Sequence, residues 1–114
     1  GVLPSGGATI IDLASMSSTS FGITSTVAFT GVKNVTVYNT STVQNRDINI
    51  RATGSNAFTN LFNGGSGNLL IKPYSSFSYS DPYSFAVTGS QKNISLFDVS
   101  GSGATYEICV LGNI

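Results

Sequence analysis

The side chains that usually move protons, attack carbonyl carbons or bind metals are scarce in this chain of 114 residues. The sequence has no His, no Trp and one Cys, and its five acidic residues are far apart: Asp12, Asp47, Asp81, Asp98 and Glu107. A Ser-His-Asp triad needs an imidazole, and calcium sites commonly take several carboxylates from one loop. Two carboxylates could hydrolyse a glycosidic bond if the fold brought them together, but no spacing marks such a pair. We therefore predict no catalytic residues, no metal site and no cofactor, and we expect that the protein is not an enzyme.

The thiol of Cys109 is the remaining candidate nucleophile. A single Cys cannot form an intrachain disulfide, and a catalytic thiol would need a His partner, which the sequence lacks. Cys109 lies in the apolar run from Tyr106 to Leu111. We interpret it as a small, buried, hydrophobic side chain.

The charges of the chain are few, balanced and scattered. Five Lys and Arg residues offset the five acidic ones, so the formal net charge is zero, and charged residues make up only 9% of the sequence. Proteins that bind nucleic acids neutralise phosphates with clustered Lys and Arg, and no such cluster occurs here. No stretch approaches the ~18 apolar residues of a membrane span. We predict no nucleic-acid or membrane partner, and we expect copies to associate because little charge repulsion separates them.

Short runs of apolar residues alternate with polar ones, as strands with one buried face require. Within Val35–Asn39, for example, Val35 and Val37 would lie on one face and Thr36 and Tyr38 on the other. The strands predicted in this way are Thr9–Leu13, Phe21–Thr30, Val35–Asn39, Asp47–Thr53, Asn68–Lys72, Ser76–Tyr79, Ser84–Thr88, Asn93–Ser100 and Thr105–Leu111.

The spacing of these strands is typical of a sandwich, a jelly roll or a small barrel. We predict an all-β fold: a single antiparallel β-sandwich or jelly-roll-like domain over residues 9–114, with about eight or nine short strands. Residues 1–8 are predicted to form an N-terminal arm, because they are rich in Pro and Gly. This segment lacks the basic start and the long apolar stretch of a signal peptide.

Several connections can also be predicted. The most local topology pairs Val35–Tyr38 with Ile48–Ala52 in a hairpin, and Asp81-Pro82 indicates a turn between two strands. Ala14–Ser20 is interpreted as a Ser-rich connector. The apolar residues of 56–62 fit a one-turn helix or a loop packed on the core, and residues 63–67 form the strongest break in the chain, a Gly-rich loop.

Two groups of residues are candidates for an interface. The arm could reach a neighbouring subunit or be a frayed terminus. The densest aromatic stretch could pack in the core or form a Tyr-rich contact surface. The candidate interface residues are Val2, Leu3, Pro4, Tyr74, Phe77, Tyr79 and Tyr83.

The last third of the chain carries a family resemblance. Residues 73–77 read Pro-Tyr-Ser-Ser-Phe after a strand, and residues 94–101 read Ile-Ser-Leu-Phe-Asp-Val-Ser-Gly before a final strand. This order resembles small β-sandwich virion proteins of tailed bacteriophages, in which a strand–Pro–x–Ser–x–Phe turn is followed by Ile–x–Leu–x–x–x–Ser–Gly. The resemblance implies a capsid decoration (cement) protein or a fibre-head domain, often trimeric. It transfers no functional residue, because such proteins act through broad surfaces.

Composition and resemblance together favour a non-enzymatic virion structural protein. We expect a capsid decoration protein that binds and stabilises a phage shell, with the major capsid protein or another virion protein as partner, and located in the extracellular particle. A homo-oligomer is expected, with a trimer favoured. The alternative is a carbohydrate-binding module or a receptor-binding fibre tip, with Tyr74, Tyr79 or Tyr83 stacking on sugar rings.

Overall fold

The computed structural model describes residues 1–62 and 67–114, so most of the predicted Gly-rich break at 63–67 lies outside the described residues. A short 3-10 helix covers Thr59–Leu61, as the apolar spacing of 56–62 allowed. The strands are β1 Val2–Leu3, β2 Ala8–Asp12, β3 Met16–Ser20, β4 Ile23–Val27, β5 Gly31–Asn39, β6 Ile48–Arg51, β7 Asn68–Ile71, β8 Ser76–Ala86, β9 Asn93–Asp98 and β10 Ala104–Asn113.

Eight of these strands form two four-stranded antiparallel sheets. The first sheet has the order β1-β10-β5-β8 and the second has the order β2-β9-β6-β7. The strand pairs are nested, because β1 pairs with β10, β2 with β9, β5 with β8 and β6 with β7. This nesting of eight strands in two sheets is the topology of a jelly roll. The predicted all-β sandwich is confirmed.

The core lies between the two sheets and comes from alternating residues of their strands. Val35 and Val37 of β5 are completely buried, and so are Ile48 and Ile50 of β6. In each strand, the residues between these positions are more exposed. The fully buried large side chains include Phe58, Leu3, Leu13, Ile48, Ile50, Ile94, Leu96, Val32, Val35 and Val37.

The predicted hairpin between Val35–Tyr38 and Ile48–Ala52 is wrong. β5 pairs with β10 and β8, whereas β6 pairs with β7 and β9 in the other sheet. β5 and β6 each have one apolar face, and each of these faces needs another apolar surface to cover it. Placing the strands in opposite sheets lets both faces contribute to one core.

The turn predicted at Asp81-Pro82 is not a strand boundary. β8 continues from Ser76 to Ala86 through Pro82, with an irregular register opposite the segment between Val32 and Asn34 of β5. β8 is an edge strand of its sheet among the described strands. Pro lacks an N–H for the ladder, and an edge strand at a bulge tolerates that loss.

The Ser-rich connector predicted at Ala14–Ser20 is also partly wrong. Its second half forms β3, which pairs with β4 from Met16↔Val27 to Ser20↔Ile23. We call this two-stranded hairpin the ribbon. In the part of the chain that the structure describes, it pairs with neither sheet of the sandwich.

The N-terminal segment belongs to the sandwich rather than forming a separate arm. Val2 and Leu3 form β1 and pair with Thr105 and Ala104 of β10. Leu3 is only 1% exposed and contributes to the core.

Cys109 is exposed, which corrects the prediction of a buried thiol. In β10, the side chains of Tyr106, Ile108 and Val110 are the more buried ones, and Cys109 alternates with them. The apolar run hid this alternation, because the sequence has apolar residues on both faces of the strand.

Candidate contact surfaces

Four of the five acidic residues that could have done chemistry, the Asp residues, are held in separate structural contacts. Asp12 pairs with Lys92, whose Nζ lies 3.2 Å from Oδ2, and Asp47 pairs with Lys72 at 3.4 Å. Asp81 accepts a 2.9 Å hydrogen bond from the backbone N–H of Tyr83. Among residues 1–62 and 67–114, no three His, Cys, Asp or Glu side chains cluster as metal ligands would. No helix among the described residues is long and apolar enough to cross a membrane.

Asp98 is the one fully buried carboxylate among the described residues, and it fastens a turn. Its Oδ2 accepts hydrogen bonds from the backbone N–H groups of Gly6 and Gly103, and its Oδ1 accepts from the hydroxyl and the N–H of Ser100. Burial alone would raise the pKa of this carboxyl, but these hydrogen bonds outweigh it and lower the pKa below its usual value. With its acceptors occupied in this way, Asp98 has a structural role.

The predicted interface residues of the N-terminus differ in their solvent exposure. Val2 is exposed and so is Pro4, whereas Leu3 lies in the core between them. Alternate residues of a strand point to opposite faces, which explains the split.

The predicted aromatic surface is also divided. Phe77 is half-buried against the core, and Tyr79 packs on Phe85 with ring centroids 5.3 Å apart. The other two Tyr residues are exposed: Tyr74, before the first residue of β8, is 68% exposed, and Tyr83, in the β8 bulge, is 92% exposed. The stretch therefore forms no single Tyr-rich face, since part of it stacks at the sandwich edge and part of it faces solvent.

The tip of the ribbon carries the most exposed aromatic side chain among the described residues. Ser20 pairs with Ile23, so Phe21 and Gly22 form a two-residue turn. Both have positive φ, 51° and 76°, which is the pattern of a type I′ turn. The Phe21 side chain is completely exposed, and Ile23 beside it is largely exposed. Residues 13–32 contain no charged side chain.

The outer surfaces of the two sheets differ in chemistry. On the first sheet, small polar side chains bind one another, as Thr36 does with Ser78 at 2.9 Å and Asn34 with Ser80 at 2.7 Å. On the second sheet, the guanidinium carbon of Arg51 lies 3.8 Å from the centroid of the Phe97 ring. We call this second surface the Phe97 face, and its members are Ile10, Arg51, Leu70 and Phe97.

A groove with a mixed polar and apolar lining lies at one end of the sandwich, with a volume of about 320 Å³. It is formed by the connection between β5 and β6 and by the turn between β7 and β8. We call it the Tyr74 groove, and its lining residues are Thr42, Gln44, Asn45, Asp47, Lys72, Pro73 and Tyr74.

The chain matches no protein-family model, no curated protein and no solved structure.

Of these surfaces, sequence reasoning identified only Tyr74. It missed Phe21, Arg51 and Phe97. The Phe21-Gly22 pair inside an uncharged Ser/Thr-rich stretch was a usable turn signal, because Gly at the second position of a two-residue hairpin loop favours a type I′ turn. The contact between Arg51 and Phe97 left no local signal, since these residues are joined only by sheet register.

Proposed function

We propose that this protein is a non-enzymatic virion structural protein, a capsid decoration protein that binds and stabilises a phage shell through protein–protein contacts. The observation that carries the proposal is the exposed Phe21 at the tip of an uncharged ribbon. The resemblance of the last third of the chain to small phage virion proteins supports it. The partner would be the major capsid protein or another virion protein, in the extracellular particle.

The backbone of Phe21 argues that its side chain serves a contact outside this domain. A non-Gly residue at positive φ costs on the order of 1 kcal/mol, and Asn, Asp or Gly would occupy this turn position with less strain. Because the Phe21 side chain is exposed, it gains no burial within the fold that would offset this cost. Burying the ring in a partner would contribute about 1.5–3 kcal/mol.

The rest of the ribbon suits a protein partner better than a lipid or a nucleic acid. Residues 13–32 carry no charge, so the ribbon has nothing to attract phosphates or anionic headgroups. Its two strands have outer edges that pair with neither sheet among the described residues. Unpaired backbone groups are costly in hydrocarbon, whereas another protein can pair with them by strand addition.

A decoration protein that bridges subunits needs more than one contact surface, and the Phe97 face is the second candidate. Aromatic residues and Arg are enriched at protein interfaces, and here they stack on each other. Ile10 and Leu70 flank them, and both are about half exposed. A homo-oligomer fits the same surfaces. We expect a trimer of the 11.8 kDa chain, which light scattering on a size-exclusion column would measure.

Binding to particles tests the proposal directly. Particles of the encoding virus, assembled without this protein, are mixed with purified chain and sedimented. We expect wild-type protein to co-sediment and to raise the temperature at which the shell breaks. Phe21→Asn should weaken binding about 10- to 100-fold, because the apolar contact is lost.

The matched control is Tyr38→Ser, which removes another exposed aromatic ring away from the ribbon. It should bind like the wild type. Failure of the wild-type protein to co-sediment would overturn the function, and unchanged binding of Phe21→Asn would overturn the role of the ribbon.

A further inference from the structure

The Tyr74 groove lies at the end of the sandwich where four connections cross between the sheets. Strand register places the β5–β6, β7–β8, β9–β10 and β1–β2 connections at this end, since Tyr38 pairs with Ser76 and Ile48 pairs with Ile71. The connections that carry the ribbon leave β2 at Asp12 and enter β5 at Gly31, at the opposite end. The groove and the ribbon therefore lie at opposite ends of the sandwich.

The backbone of Tyr74 has a positive φ, and its hydroxyl donates a 3.4 Å hydrogen bond to the carbonyl of Thr42 in the same groove. The N–H of Ser75 donates a 3.0 Å hydrogen bond to the carbonyl of Lys72, which closes a turn over Pro73 and Tyr74. With Pro in the first central position and a φ of 66° in the second, this is the pattern of a type II turn, where Gly or Asn is preferred. Tyr74 keeps its ring 68% exposed instead.

A second residue with positive φ lines the same groove. Asn45 has a φ of 71°, so two of the five non-Gly residues with positive φ in the described chain lie here. Asn adopts this conformation readily, whereas Tyr does so rarely, and such outliers cluster at functional sites. Asn and Tyr together offer an amide with both donors and an acceptor, and an apolar ring face.

The charges in the groove cancel. Lys72 Nζ lies 3.4 Å from Asp47 Oδ2, and the amides of Gln44 and Asn45 complete the polar lining. A phosphate or another anion would meet the carboxylate of Asp47, and a large apolar ligand would leave the amides and the ion pair without water. A neutral ligand with many hydroxyl groups suits this lining, because each hydroxyl both donates and accepts.

We propose that the Tyr74 groove binds a neutral saccharide, with one sugar ring stacked on Tyr74 and its hydroxyls bonded to Gln44, Asn45 and Asp47. Tyr presents an apolar ring face for the C–H side of a sugar and a polar tip at its rim. A volume of about 320 Å³ lies at the lower end of the range of small-molecule sites, which fits a single ring with the rest of a glycan outside. This inference does not rest on the proposed shell binding.

A glycan array tests it, with the fluorescently labelled full chain as the probe protein and immobilised neutral and sialylated glycans as ligands. We expect retention on neutral glycans. Tyr74→Gly should reduce the affinity for a retained glycan by about ten-fold or more, as expected for the loss of an aromatic contact. Its thermal midpoint should stay equal or rise, because Gly accommodates the positive φ.

Two further variants keep the test decisive. Phe21→Asn removes an exposed aromatic ring at the ribbon tip, outside the groove, and should bind glycans as the wild type does. Gln44→Ala changes an exposed loop side chain in the groove and should weaken binding even if Tyr74→Gly fails to fold. Absence of retention on any glycan, retention on sialylated glycans alone, or full binding by both groove variants would overturn the proposal. Particle binding by the same preparation is measured separately. A negative result for glycan binding therefore leaves the test of shell binding intact, and the reverse also holds.

Discussion

Asp98 accepts a 2.7 Å hydrogen bond from the backbone N–H of Gly103, five residues further along the chain. The same carboxylate oxygen accepts from Gly6, 92 residues away, so one side chain holds the N-terminal segment against the β9–β10 turn. Each of these N–H groups would lose its acceptor if the carboxylate were removed. The contact explains why residues 1–8 belong to the sandwich although their composition predicts an arm.

Acid should therefore weaken the fold through Asp98. Its pKa is lowered in the folded state, so its contribution to stability is complete above the unfolded-state value of about 3.9 and is lost as the pH falls through the folded-state pKa. Asp98→Asn should cost about 2–3 kcal/mol at pH 7 and less at pH 3. Denaturant unfolding at both pH values measures this difference. Glu107→Gln, on an exposed position of β10, serves as the control and should change little; an equal cost of Asp98→Asn at both pH values would contradict the prediction.

The buried side chain of Asn39 should not tolerate replacement by an ionised carboxylate. Its Nδ2 donates to the carbonyls of Arg46 and Ile71, both at 2.9 Å, and its Oδ1 accepts from the N–H of Ser41. Asn39→Asp would aim a carboxylate at two carbonyl oxygens, which should raise the pKa of the new carboxyl and destabilise the fold by about 3 kcal/mol or more at neutral pH.

The sign of the pH dependence distinguishes this effect from simple loss of packing. A raised folded-state pKa means that the penalty of Asn39→Asp shrinks as the pH falls and the carboxyl is protonated. Asn39→Ala, which cannot titrate, is the matched control and should show no such recovery relative to the wild type. Unfolding curves between pH 4 and 8 would check both, and a pH-independent cost for Asn39→Asp would contradict the argument.

Phe21→Asn should stabilise the isolated protein. Asn-Gly is the preferred pair for a type I′ turn, so replacing the strained Phe21 should add about 1 kcal/mol and raise the thermal midpoint. Ile23→Asn, which changes a neighbouring exposed side chain outside the two-residue turn, should not stabilise. Differential scanning calorimetry of the three proteins measures the effect, and a lowered midpoint for Phe21→Asn would show that the ring contributes to the fold.

The thiol of Cys109 should react in the native protein. It is exposed on β10, so a disulfide reagent such as DTNB should modify one thiol per chain without denaturant, at a rate close to that in urea. Cys109→Ser gives the blank. Reaction only after unfolding would mean that the thiol is covered in the native protein. Either the fold itself or the association of copies through this face of β10 would then cover it.

Much of the secondary structure could be predicted from the sequence, because alternation between two faces is a local property of a strand. The strands β2, β5, β6, β7, β9 and β10 lie close to their predicted positions. The single-domain sandwich followed from their number and spacing. Of the contact surfaces, only Tyr74 was among the predicted interface residues, because a side chain near a turn tends to reach solvent.

What only the tertiary structure decided depends on partners distant in the chain. The pairing of β5 with β10 rather than β6 follows from covering two apolar faces with each other, and Pro82 stays within β8 because that strand lies at a sheet edge. The stacking of Arg51 on Phe97 and the burial of Asp98 are likewise consequences of register. Local spacing sets which residues can form a strand, but the free energy that selects strand neighbours comes from burial shared between segments far apart in sequence.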